Sequence, residues 1–104
     1  MECRLGGFDT YSPRRIIVAI ALILHRVAGF DAWREAYDSV ADLQKDGGVT
    51  DESVHRMAGD PDNVLVIHHF DTVEIAREFL SSPELRAAMD RAGVKGEPRI
   101  EIFD

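Results

Sequence analysis

With one cysteine, Cys3, the chain can close no internal disulfide. A reducing compartment, the cytoplasm, is the matching expectation. Positive charge is also scarce: 12 Lys and Arg stand against 19 Asp and Glu, a net charge of −7. An acidic surface repels phosphate, which argues against nucleic acid and anionic membrane as partners. The main apolar run, Ile16 to Leu24 (IIVAIALIL), has nine residues, whereas a helix needs about 20 to span a bilayer. There is no HExxH, no CxxC, no phosphate-binding loop and no dinucleotide fingerprint. No Ser–His–acid set can be placed either.

What remains is ordinary for a globular protein: 45% hydrophobic and 30% charged residues, which argues against disorder. A chain of 104 residues suffices for one domain and one core. Residues 1–14 show no period and read as a flexible N-terminal extension, with residues 15–104 as a single domain. Arg14 and Arg15 before an apolar run resemble the start of a secretory signal. However, His25 and Arg26 follow the run at once, and no small-x-small cleavage site is clear. A buried strand is the preferred reading.

Ile16 to Leu24 is the only segment apolar on both alternating faces, and it is rich in β-branched residues, as a central strand would be. One face carries Ile16, Val18, Ile20, Leu22 and Leu24. The other carries Ile17, Ala19, Ala21 and Ile23, and ends at His25. The alanines leave space that either a pocket or a closely packed helix would use. Asp31 is a candidate N-cap. Trp33, Ala36, Tyr37, Val40 and Leu43 then recur at helical spacing, so a helix is expected from Asp31 to Asp46, stopped by Gly47-Gly48. Val49 to Met57 is charged and alternates weakly, as an edge strand does. Gly59 to Asn63 is a dense turn signal, and Val64 to Phe70 is the second apolar strand, closing a hairpin. Asp71-Thr72-Val73-Glu74 looks like a capping box opening a short helix through Leu80. Ser82-Pro83 restarts it, Leu85, Ala88, Met89 and Ala92 share one face, and Gly93 ends it. Arg99 to Phe103 is the last strand.

The order β-α-β-β-α-β is that of the ferredoxin-like α+β fold: a four-stranded antiparallel sheet with helices on one face. The two apolar strands, first and third, take the centre. Two helices cover one face only, yet the first strand is apolar on both. A second copy of the chain is the simplest cover, so a homodimer is expected.

The stretches LHRVAGFDAWREAYD and VLVIHHFDTVEIAREFLSSPELRAAMDRAGV, with the glycine pair and the VHR strand between them, resemble the dimeric α+β-barrel superfamily. More narrowly, they resemble its antibiotic-biosynthesis monooxygenase-like and cyclase-like small proteins. The resemblance covers about Arg15 to Asp104. It implies two ferredoxin-like units packed sheet to sheet, with a pocket between the sheet and helices of each. It also implies cofactor-independent oxygenation or isomerisation of an apolar molecule. In the haem-degrading branch, the strand-one asparagine falls at His25, the helical tryptophan at Phe79 and the haem-ligating histidine at Met89. All three differ here: phenylalanine cannot donate a hydrogen bond, and a thioether is a different axial ligand from imidazole. Haem is disfavoured and no bound cofactor is expected.

The same alignment brings His25, Phe79 and Met89 to one pocket, facing Trp33 and Tyr37. His25 would be the base and Tyr37 a donor to a substrate oxygen. Trp33 fits either core packing or substrate contact. His68 and His69 are strand neighbours, so at most one enters the pocket. His55 lies on the edge strand. Under this topology His25 and His55 sit at one end of the third strand and His68 and His69 at the other, so one chain should not assemble a metal site. Two functions stay open: a small enzyme acting on an apolar aromatic or polyketide-like molecule, and a non-catalytic small-molecule-binding or structural dimer.

Overall fold

A computed structural model of the protein describes residues 18–104. The expected extension, the signal-like arginine pair and the first residues of the apolar run lie outside the described residues. The order is β1 (Ala19–Val27), α1 (Phe30–Ser39), α2 (Ala41–Asp46), β2 (Asp51–Met57), β3 (Asp60–Phe70), α3 (Val73–Leu80), α4 (Pro83–Arg91) and β4 (Val94–Phe103). The sheet is antiparallel in the order β2-β3-β1-β4, so the two most apolar strands do occupy the centre. The helices lie on one face. This is the ferredoxin-like α+β arrangement, with each helical arm divided in two.

Strand parity puts Ala19, Ala21, Ile23, His25 and Val27 under the helices, all buried. Across the ladder, Ala19 pairs with Phe70 and Ala21 with His68. Small thus faces large. Phe70 and Phe79 fill the space above the alanines, and Ala76 of α3 packs there with no exposure. Close helix packing, not a pocket, is what the alanines serve. A second cluster, Ile23, Val27, Trp33, Val64 and Val66, fills the half beneath α1. On the open face Ile20, Leu22, Leu24, Leu65 and Ile67 are half-buried, and Phe103 is exposed.

Five local expectations need correction. Asp31 is not the N-cap: Gly29 is, its carbonyl accepting from Trp33 N at 3.1 Å, and Asp31 stands in the first turn, where its charge suits the helix dipole. The helix expected through Asp46 breaks at Val40, where the Ser39 hydroxyl donates to the Ala36 carbonyl at 2.6 Å and competes with the helical ladder. The capping-box reading is one residue out. Thr72 caps α3 by accepting from Ile75 N at 3.1 Å, so Glu74 misses the position a reciprocal bond requires. Finally, the hairpin turns at Ala58-Gly59, with Gly59 at φ 83, and β3 begins at Asp60. Residues read as turn sit instead in a bulge opposite Arg56 and Met57. β4 is also longer than expected, running from Val94. The Ser82 cap and Pro83 start are as the sequence implies, with Ser82 accepting from Leu85 N at 3.2 Å.

The glycine pair does more than stop a helix. Gly48 takes the left-handed conformation at φ 99. A Cβ on Gly47 would lie 2.1 Å from the Phe79 ring. Gly47→Ala is therefore expected to destabilise the fold by about 1–3 kcal/mol, because Phe79 is held by Phe70 and His68 and cannot withdraw freely. Urea denaturation measures it, and a change below 0.5 kcal/mol, roughly the scale of ordinary surface substitutions, would refute the account.

Candidate functional site

Between the second core cluster and α4 lies a cavity of about 40 Å³. Its floor is Ile23 and His25 of β1 with Val66 and His68 of β3. Trp33 and Tyr37 enter from α1, Gln44 from α2, and Leu85 and Met89 from α4. The lining is predominantly apolar, with the two histidines, Tyr37 and Gln44 as its polar groups. Such a mixture suits an apolar ligand oriented by a few polar atoms.

Each polar group has a definite setting. His25 is 6% exposed, lies 5.5 Å from the Trp33 ring, and has no hydrogen-bond partner among the described residues at either ring nitrogen. Burial lowers its pKa to about 4, so it is neutral near pH 7 with one free lone pair and one free N–H. Trp33 stacks on Tyr37 at 4.9 Å. The Tyr37 hydroxyl donates to Glu52 Oε1 at 2.7 Å and lies 3.1 Å from His68 Nε2. A hydroxyl has one hydrogen, and a carboxylate can only accept, so His68 Nε2–H is the donor to Tyr37. His68 Nδ1 is then the bare nitrogen, and it is buried without a partner among the described residues. Burial brings the pKa of His68 to about 4, with Glu52 opposing and His69 adding to the shift. Tyr37 is pushed upward by burial and by Glu52, so it stays protonated.

Five of the residues singled out from sequence thus meet in one cavity: His25, Trp33, Tyr37, His68 and Met89. Phe79 does not line it. That ring sits beside His68 at 6.0 Å and Phe70 at 5.8 Å, as a wall of the neighbouring core. His69 faces the other side of the sheet, as strand alternation requires. The hydrogen of Tyr37, expected to serve a substrate oxygen, is held by Glu52. His55 is exposed and donates to or accepts from Ser53 Oγ at 3.0 Å. Among the described residues no three His, Cys, Asp or Glu converge as metal ligands. No helix among them is long and apolar enough to cross a membrane.

Sequence reasoning missed Gln44 and Glu52. Gln44 had a signal: Trp33, Tyr37, Val40 and Gln44 continue one helical stripe at steps of four, three and four. Glu52 had none, because its place opposite His68 follows from the hairpin register. A turn centred on Pro61 would have put Val54 there.

Comparison with known proteins finds no matching family model and no matching curated sequence. Solved structures do match. A cofactor-independent oxygenase from Streptomyces nogalater, SnoaB, aligns at TM-score 0.68 over 84% of this chain and 91% of its own, with 12% identity. A candidate antibiotic biosynthesis monooxygenase from Bordetella bronchiseptica aligns at TM-score 0.71, covering 84% and 95%, also at 12% identity. A third, from Caulobacter crescentus, aligns at 0.67 over 84% and 88%, with 15% identity. At such identities the likeness is one of fold. The chain has the ferredoxin-like α+β fold shared by these antibiotic-biosynthesis-monooxygenase-like structures.

Proposed function

We propose that the protein is a homodimeric enzyme that acts, without a bound cofactor, on a small apolar aromatic or polyketide-like molecule by oxygenation or isomerisation. The observation that carries this reading is His25: a neutral, buried imidazole in an apolar cavity with both nitrogens unpartnered among the described residues. Leaving a buried polar atom unpaired costs about 1–3 kcal/mol. A ligand hydroxyl or an acidic C–H beside a carbonyl would occupy those nitrogens, and the free lone pair would take its proton. In oxygenation, the resulting substrate anion would itself supply electrons to dioxygen. His25 is thus the base, while Trp33, His68 and Met89 contact the substrate. Met89 is half-buried and unbranched, so it can swing aside to admit a ring system. The half-buried apolar residues of the open sheet face support a second copy as its cover.

A second reading rests on the cavity size. At about 40 Å³ it is far below the several hundred Å³ of a typical ligand site. That favours a non-catalytic dimer whose aromatic residues are simply core.

Anthrone separates the two. Its proton loss and reaction with O₂ give anthraquinone and water. Trp33, the single tryptophan, reports binding by fluorescence. The enzyme reading expects anthrone oxidation that falls at least about 100-fold in His25→Ala, with melting temperature and dimer retained. Quenching of Trp33 without oxygen uptake, equal in both proteins, would establish a binding dimer, and neither quenching nor oxygen uptake would establish the dimer whose aromatic residues are core. A well-folded monomer in sedimentation would remove the barrel assembly altogether.

A further inference from the structure

The cavity is joined to solvent by a chain of hydrogen bonds that the proposed base does not use. His68 Nε2 and Tyr37 Oη are 3.1 Å apart, and Tyr37 Oη and Glu52 Oε1 are 2.7 Å apart. The inner end, His68, is 3% exposed and lines the cavity. The outer end, Glu52, is exposed on the edge strand β2. Every donor points outward, because the Glu52 carboxylate accepts from Tyr37 and Tyr37 in turn accepts from His68. The inner nitrogen, His68 Nδ1, carries a lone pair, is buried, and has no partner among the described residues. A chain in this state is loaded to accept a proton at its inner end.

We propose that His68, Tyr37 and Glu52 form a proton path that carries a proton from the cavity to solvent. A proton arriving at His68 Nδ1 releases the Nε2 proton to Tyr37 Oη. Tyr37 passes its own proton to Glu52 Oε1, and the Glu52 carboxylic acid loses it to water. No electrons move, and each atom keeps its normal valence. His68 ends as the Nδ1–H tautomer, with the Tyr37 hydroxyl turned toward Nε2. Edge placement is what makes the path possible: β2 is an edge strand among the described residues and Glu52 is exposed, so its carboxylate reaches water while the ladder holds it opposite His68. The path does not depend on the assignment of His25 or on any substrate, so it can fail or hold independently of the proposed function.

Long-range ¹H–¹⁵N spectra of the full-length protein labelled in histidine read the tautomer directly. Wild-type His68 is expected as Nε2–H. In Glu52→Lys, the residue at the outer end can only donate, so Tyr37 must donate inward and His68 is expected to invert to Nδ1–H. Should that variant fold poorly, Glu52→Ala gives a second reading. Exchange of the His68 imidazole proton with water should slow at least tenfold when the outer acceptor is removed. An Nδ1–H tautomer in the wild type, an unchanged tautomer in folded Glu52→Lys, or unchanged exchange in Glu52→Ala would each overturn the proposal.

Discussion

Phe70→Ala is expected to cost about 3–5 kcal/mol of folding stability, a large share of the roughly 5–15 kcal/mol that a domain of this size possesses. The reason begins with strand parity. Phe70 ends β3 on the helix side, directly opposite Ala19, and has no exposure. Its ring touches the region of His68 at 6.1 Å and Phe79 at 5.8 Å between centroids. Ala19, Ala21 and Ala76 around it are already small. The alanines cannot expand into the hole, so a cavity term adds to the lost transfer energy. Phe70→Leu should recover more than half of the loss, because it keeps most of the volume. Urea titrations of the three proteins give the differences. A Phe70→Ala cost below about 1.5 kcal/mol would mean that α3 closes over the alanines, contrary to the packing described.

Acidification supplies the second large effect. His25 and His68 both have native pKa values of about 4, against an ordinary 6.5. The unfolded chain therefore binds more protons at these sites between pH 6.5 and about 4. Stability from this source is complete above about pH 6.5, falls as pH is lowered through that window, and is flat below it. Each histidine is expected to contribute on the order of 2 kcal/mol across the window. Other groups titrate over the same range, so the contrast must be internal. Urea midpoints of the wild type, His25→Leu and His68→Leu at pH 7.5 and pH 4.5 isolate the two histidines. Each variant should lose less stability on acidification than the wild type. An equal loss in all three would show that neither ring is held neutral by burial.

Much of this was legible in the chain. The nine-residue apolar run and the VLVIHHF segment are central because only central strands bury both faces, and apolar residues on alternate positions state that without reference to any neighbour. Ser82-Pro83 and Gly47-Gly48 act within a turn, so their effects follow from local chemistry. Gathering His25, Trp33, Tyr37 and Met89 followed from helix and strand periodicity together with the family resemblance.

Three matters belonged to the tertiary structure. Whether Ala19 and Ala21 line a pocket or a helix depended on Phe70 and Phe79 arriving from other elements to fill the space. Phe79 was displaced from the expected site for the same reason. The pairing of Glu52 with Tyr37 and His68 depended on a bulge at Arg56–Met57 that resets the β2–β3 register. By itself the sequence determined which residues are apolar, which face each other along one element, and where most elements begin and end to within a few residues. Only the tertiary structure decided which side chains meet across elements, because register and packing are settled by the sum of distant contacts and by no single stretch of the chain.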